Sequence, residues 1–185
     1  MQRIKTMKLK QKGSSLIEVL IAIFVMSIGL LGMAGLTAAS SSYNKLGQIR
    51  STAMLLVSDY TDRARANLTA FDNDKYSKNS VYAYSTTLAT ESGCTNASTA
   101  ACDADTFAAL DKTQWLNLLR RKLPGGDAYV VTSYTAASSQ RFMDIWVMWA
   151  EAEQATGFAI ATGNTCPASA SAPSNVKCMY FRVAI

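Results

Sequence analysis

The chain has 185 residues, which suits one globular domain plus a membrane segment. It contains no histidine, so the usual Ser/His/Asp and Cys/His nucleophile arrangements are excluded, and no glycine-rich phosphate loop is present. The net charge of +5 is unevenly placed: Arg3, Lys5, Lys8, Lys10 and Lys12 fall in the first 12 residues without a single acid, and beyond them 13 basic side chains meet 13 acidic ones. A formally neutral remainder offers no composition-level argument for a nucleic-acid partner.

The basic stretch runs into Gly13-Ser14-Ser15-Leu16-Ile17-Glu18, and residues 16–36 are apolar or small apart from Glu18. A carboxylate in such a run costs roughly 2.5–3.5 kcal/mol at mid-bilayer, less near the interface, so it marks a functional position. A conventional secretory signal places its cleavage site after the apolar segment. Here the small-residue junction comes first, and a cut at Gly13 leaves the apolar segment on the mature protein. An uncleaved signal anchor is the plainer alternative, but it needs neither a glycine at the boundary nor a carboxylate five residues beyond. The basic residues stay on the cytoplasmic side, so everything after Leu36 is expected to be exported.

This arrangement is similar to the class III leader of type IV prepilins, whose usual junction is Gly-Phe-Thr-Leu-Ile-Glu. Gly13, Leu16, Ile17 and Glu18 match, while Ser14 and Ser15 replace Phe and Thr. The tail Ser27-Ile28-Gly29-Leu30-Leu31-Gly32-Met33-Ala34-Gly35-Leu36 resembles minor pilins of the PilV type. The resemblance implies that a prepilin peptidase cuts after Gly13 and methylates the new amine of Ser14. It implies that Glu18 pairs with the terminal amine of an adjoining subunit and sets axial register. Local pairing of Glu18 with its own Ser14 amine, four residues away on one helical face, is the alternative. Residues 1–13 are then the leader, 14–40 the transmembrane and filament-core half of a helix, and 41–185 the exported pilin domain. Either Met1 or Met7 suits as the start.

Residues 15–68 contain no proline, and Leu46, Ile49, Ala53, Leu56, Tyr60 and Ala64 recur at helical spacing. Gln48, Arg50, Asp59, Asp62 and Arg63 fall mainly on other faces. One long helix is expected, apolar all round in its first half and amphipathic in its second, on the order of 80 Å long. Gly29, Gly32 and Gly35 each weaken it by roughly 1 kcal/mol relative to alanine. Close helix packing is one reason for them. A helix that loses its form in the filament, as the resemblance implies for residues 27–35, is the other.

Residues 69–104 are rich in Ser, Thr, Asn, Asp and Ala and resemble the variable loop between helix and sheet of a pilin. Cys94, Cys102, Cys166 and Cys178, in an oxidising compartment, read as two disulfides. Of the three connectivities, Cys94–Cys102 and Cys166–Cys178 are favoured because each closes a short polar loop. Without histidine or a C-x-x-C pair, a zinc site is not expected. Asn67-Leu68-Thr69 and Asn96-Ala97-Ser98 match the short N-glycosylation pattern, which carries little weight in a bacterial exported protein.

Asp103 or Asp105 can cap a second helix near residues 106–123, packed through Leu110, Trp115, Leu116, Leu119 and Leu123 and ended by Pro124-Gly125-Gly126. A helix closing in Leu-Pro-Gly-Gly also resembles PilV-type pilins. Arg120, Arg121 and Lys122 suit the negative end of that helix dipole as a solvated cluster.

Residues 129–134, 142–151 and 179–185 are rich in β-branched and aromatic residues and are expected to be strands; residues 157–161 are a possible short fourth. In the second strand Met143, Ile145, Val147 and Trp149 share one face. Asp144, Trp146, Met148 and Ala150 share the other, a mixture that suggests partial cover by a loop or a neighbouring subunit. The fold class expected is α+β: a pilin-like long N-terminal helix on an antiparallel sheet of three or four strands.

No catalytic constellation, cofactor or metal set is found, and the chain reads as a substrate of enzymes rather than an enzyme. The expected function is that of a minor pilin of a type IV pilus, promoting pilus assembly and hence twitching motility or adhesion. Its expected partners are the major pilin, other minor pilins, the prepilin peptidase and the inner-membrane assembly platform. It is expected in the inner membrane before assembly, single-pass with its C-terminal domain periplasmic, and then in the pilus at the cell surface. The alternatives are a minor pseudopilin of a type II secretion system and an accessory pilin binding a host surface or DNA through the loops at 69–104 and 164–177.

Overall fold

The computed structural model describes residues 15–91, 94, 102–151 and 166–185. The chain divides into two compact units, Met1–Leu46 and Gly47–Ile185. Helix α1, Leu16–Ala66, runs through the boundary. Among the described residues, five further helices and strands build the second unit around the last five turns of α1: helices α2 (Leu68–Asp72) and α3 (Ala104–Lys122), a hairpin of strands β1 (Asp127–Thr135) and β2 (Gln140–Ala150), and strand β3 (Val176–Ala184). A 3-10 turn, Ala168–Ala170, precedes β3. The expected α+β architecture, a long N-terminal helix with a three-stranded antiparallel sheet, is the one observed.

The sheet order is β1-β2-β3, each neighbour antiparallel. Its register puts Met143, Ile145, Val147 and Trp149 on the face turned to α1, and all four are buried. Ala53, Leu56, Val57, Tyr60 and Ala64, the i, i+3, i+4, i+7, i+11 stripe of α1, meet them in one core with Trp115, Leu119 and Leu123 of α3 and its end. Burying each of the larger side chains contributes roughly 1.5–3 kcal/mol. The small residues of the stripe, Ala53 and Ala64, let the helix lie close to its neighbours.

The structure moves several boundaries, among them β1, which runs Asp127–Thr135 rather than 129–134, and β2, which runs Gln140–Ala150 rather than 142–151. The first helix stops at Ala66 instead of continuing to residue 68, because Asn67 leaves helical geometry and caps α2: its side chain accepts from the Ala70 amide and donates to the Ala104 carbonyl at 2.7 Å. A short polar side chain that can bond nearby backbone competes with the helix ladder in this way. Helix α3 starts at Ala104, with Asp103 rather than Asp105 as the cap, its carboxylate accepting the Thr106 amide at 2.7 Å. Strand β3 begins at Val176, three residues before the aromatic and β-branched signal, because pairing of Lys177 and Cys178 with Trp149 and Met148 continues the ladder.

Pro124-Gly125-Gly126 ends α3 as expected, and the reason is visible. Gly125 has φ +61, and a Cβ on Gly126 would lie 2.2 Å from the Leu119 carbonyl oxygen. The Pro124 carbonyl accepts the Ala150 amide at 2.7 Å, fastening the turn to the end of β2. The possible fourth strand at 157–161 lies outside the described residues.

Candidate functional site

The processing junction, Gly13-Ser14, lies just outside the described residues. Ser15 is the first residue described, and its carbonyl accepts the amides of Glu18 at 3.0 Å and Val19 at 3.3 Å, which starts α1. Glu18 therefore sits in the first helical turn, exposed. A carboxylate there complements the positive end of the helix dipole, so the charge that is costly in an apolar run is placed where the backbone offsets some of its cost.

Beyond Glu18 the helix presents apolar side chains in every direction. Leu20, Phe24, Met26, Leu30, Leu31, Met33 and Leu36 are all exposed. Among the described residues this is the one helix long and apolar enough to cross a membrane. Such a surface is stable only in lipid or against other apolar helices. Gly29, Gly32 and Gly35 lie within it, and a Cβ added to any of them meets no atom within 4 Å. Nothing among the described residues of this chain requires glycine there.

In the second unit the helix is held by side chains that reach its backbone. The Trp115 indole donates to the Leu56 carbonyl at 2.7 Å while its ring stacks on Tyr60 at 4.0 Å. The Tyr60 hydroxyl donates to the Tyr76 carbonyl at 2.7 Å. Tyr76 in turn donates to Asp111 at 2.8 Å and lies 3.3 Å from the Arg63 carbonyl, one of the acceptors that a helix end leaves unpaired. Arg63, expected on an outward face, instead turns toward α3: it bonds Asp59, Asp111 and Gln114 at 3.0–3.1 Å. Burial lowers the Arg63 pKa, but Asp59 and Asp111 more than offset that and hold it above the usual value. Burial raises the pKa of Tyr60 and of Tyr76, with Asp111 adding to both.

The segment from residue 69 onward, expected to be a polar and variable loop, begins inside α2 and carries core residues that its composition concealed. Ala70, Phe71 and Tyr76 are buried. Lys78 exchanges backbone hydrogen bonds with Val130 at 2.9 and 2.8 Å and so lies along the outer edge of β1. Its ammonium group meets the fully buried Asp127 at 2.9 Å. Asp127 also accepts the amides of Ala83 and Ala128, both at 2.9 Å, so this buried charge has partners for both oxygens. Asn117 bonds both the amide and the carbonyl of Ala89, at 3.0 and 2.9 Å. A lysine and an aspartate 49 residues apart give no signal in the sequence; only the chain's path brings them together.

On the far face of the sheet, Tyr129, Trp146 and Tyr180 form one cross-strand row. Of the two covers expected for this face, a loop is observed: Ala170, in the segment before β3, packs with Met148, Cys178 and the first residue of β3, Val176. Further along, Tyr180 remains 45% exposed, and its hydroxyl bonds Asp144 at 2.6 Å. Arg120, Arg121 and Lys122 occupy the last turn of α3. Cys94 is bonded to Cys102 and Cys166 to Cys178, the second bond tying that covering segment to β3. Of the two glycosylation patterns, Asn67 has its side-chain amide engaged in capping, and Asn96 lies outside the described residues.

Residues 8–34 match the family model described as the prokaryotic N-terminal methylation motif. The matched stretch contains Gly13, Ser14, Glu18, Gly29 and Gly32 and stops just before Gly35. No curated protein and no solved structure matches the chain. A leader of this kind implies processing by a prepilin peptidase and assembly with other pilins. Together with the apolar helix behind it, it fits anchoring in a membrane before assembly. The match supports a type IV pilin-like protein, a pilin or pseudopilin in general, and so a structural subunit.

Proposed function

We propose that this chain is a minor pilin of a type IV pilus, of the PilV type, which joins the pilus or the complex that initiates it and promotes assembly. The observation that carries the reading is the methylation motif at residues 8–34 placed ahead of an apolar helix rather than behind one. Cleavage after Gly13 then leaves the helix on the mature chain, and the new amine at Ser14 is methylated. Before assembly, residues 16–36 lie in the inner membrane with the C-terminal domain in the periplasm, and afterwards they pack in the filament core.

Glu18 is the docking residue in this reading. It lies four residues along the chain from the new amine. In an apolar filament core a carboxylate is tolerated only when paired, and the amine of an adjoining subunit is the partner that sets register. Gly29, Gly32 and Gly35 supply a stretch that gives up its helical form once neighbouring subunits surround it. The major pilin, other minor pilins and the inner-membrane assembly platform are its partners.

The test is the amount of major pilin in the sheared surface fraction of a deletion strain, compared with the complemented strain. Surface pili are expected to fall while total major pilin persists. Glu18→Ala is expected to be cleaved normally yet to be depleted in sheared filaments. Full piliation of the deletion strain with a loss of secreted enzymes would instead assign the chain to a type II secretion pseudopilus, which uses the same leader.

A further inference from the structure

The three tryptophans of this chain differ in what their indoles bond. Trp115 donates to the Leu56 carbonyl at 2.7 Å and Trp149 to Glu151 at 3.0 Å. The indole N–H of Trp146, on the far face of the sheet, has no hydrogen-bond partner among the described residues. Neither has the hydroxyl of Tyr129 beside it, although Tyr129 is only 9% exposed. Among the described residues, Arg120 Nε is the one buried side-chain nitrogen or oxygen left without a partner, so solvent reaches both of these groups. Largely buried phenols and indoles usually have their polar atom bonded. Two open donors side by side on one sheet face are therefore places where a ligand can bond.

Tyr129, Trp146 and Tyr180 lie directly opposite one another across the three strands. The Trp146 ring is 5.8 Å from that of Tyr129, edge-on, and 4.8 Å from that of Tyr180, inclined by 36°. At the Tyr129 end the row packs into the cluster formed with Ala170 and Tyr82. At the other end Tyr180 is open. The next row along the same face is Val131, Asp144 and Arg182. Asp144 accepts the Tyr180 hydroxyl at 2.6 Å and lies 3.6 Å from Arg182 Nε. The Arg182 side chain is 58% exposed, so a charged donor and a carboxylate border the aromatic row.

Charge and size decide what fits there. Single-stranded nucleic acid needs a cationic groove beside its stacking rings, and here one arginine is matched by one aspartate. A stable protein complex buries about 800 Å² on each partner, whereas Val131 and Tyr180 are the large apolar residues of these two rows that are exposed. The fit is to an uncharged ligand with apolar faces and a polar rim. A hexopyranose ring has that form, with C–H groups on its faces and hydroxyls around its edge. The geometry points to this row as a binding platform for a neutral glycan. A sugar ring lies on Tyr180 and the edge of Trp146. Its hydroxyls accept from the Trp146 indole, the Tyr129 hydroxyl and Arg182, and donate to Asp144. An open face covers one side of each ring, which suits a polymer lying across the strands.

The experiment titrates the full chain, in lauryldimethylamine-oxide micelles that carry no sugar, with maltohexaose, cellohexaose and chitohexaose. Saturation-transfer NMR of the sugar and tryptophan fluorescence are the readouts. At least one hexaose is expected to saturate with a dissociation constant of about 1 mM, the weak affinity of a one-sided site. Tyr180→Ala is expected to weaken binding at least about tenfold, through loss of the exposed ring. Arg182→Ala, at a side chain that is mostly exposed, is expected to weaken it about threefold and keeps the test open should Tyr180→Ala fail to fold. No saturation by any of the hexaoses up to about 10 mM overturns the inference. So does undiminished binding in both variants, which would place the sugar elsewhere. Binding of oligothymidine with a steep salt dependence, and of no hexaose, overturns it in favour of nucleic acid. Depletion of Tyr180→Ala from sheared filaments with no hexaose bound overturns it in favour of a subunit contact.

Discussion

Residues 16–36 and residues 47–66 belong to one α-helix, but they are helical for different reasons. The first stretch presents leucine, isoleucine, phenylalanine and methionine on all sides and buries none of them within the chain. The second buries a single stripe, and its backbone carbonyls at Leu56 and Arg63 are approached by Trp115 and Tyr76 from the surrounding fold. An exposed leucine therefore means opposite things in the two halves. In the second half it would be ordinary surface, whereas in the first it is the contact surface for lipid or for another subunit. The difference also separates the two kinds of mutation: changes in the second half act on the folding of this chain, and changes in the first act on what the chain joins.

The largest expected effect is at Trp115. Trp115→Ala removes a buried ring stacked on Tyr60 and the bond to the Leu56 carbonyl, and is expected to destabilise the second unit by about 3–5 kcal/mol. Urea unfolding of the full chain in detergent micelles, followed by circular dichroism, measures it.

The paired variants Leu56→Ala and Leu30→Ala bear directly on the contrast between the halves. Loss of the buried Leu56 side chain is expected to cost about 2–4 kcal/mol in the same assay. Leu30→Ala is expected to change it by less than about 0.5 kcal/mol, the usual range for a position outside the core. Equal losses at both positions would break the comparison.

Tyr76→Phe keeps the ring and removes the hydroxyl that bonds Asp111 and faces the Arg63 carbonyl. About 1–2 kcal/mol is expected, because those acceptors lose a buried partner. The smallest effect is one of pH. Burial raises the pKa of both Tyr60 and Tyr76 in the folded state, followed by neighbouring Tyr76 and then Asp111 at Tyr60, and by Asp111 at Tyr76. Phenols ionise near pH 10 when unfolded. Their contribution is thus fully present below about pH 10 and is lost as the pH rises above it. A urea midpoint that falls between about pH 8 and about pH 11, and falls less in Tyr76→Phe, is the expected result. Residues 19–36 carry no ionisable group, so the first half of the helix has no corresponding dependence.

The local features of this chain were legible because they are set by neighbours in sequence. The order of basic stretch, Gly13 junction and apolar run is a property of one continuous segment. So is the stripe from Ala53 to Ala64, since a 3.6-residue period places its members on one side whatever they pack against. The face of β2 carrying Met143, Ile145, Val147 and Trp149 was readable for the same reason, from alternation alone. The Pro124-Gly125-Gly126 stop was readable because those residues end helices by their own backbone limits.

What lay beyond reading was decided by residues distant in the chain. Phe71 and Tyr76 sit in a polar segment and became core only because the chain passes between α1, α3 and β1. Arg63 has the composition of a surface residue and turned inward because Asp111 and Gln114 wait on α3. Asn67 ended α1 early because the Ala104 carbonyl, 37 residues away, was within reach of its side chain. Lys78 and Asp127 became a buried pair only once the loop lay along β1. Periodicity and turn chemistry act over a few residues and are written in the sequence directly. Burial of a charge, or the choice of partner for a hydroxyl, depends on which distant atoms arrive within about 3 Å, the reach of a hydrogen bond, and only the folded chain determines that.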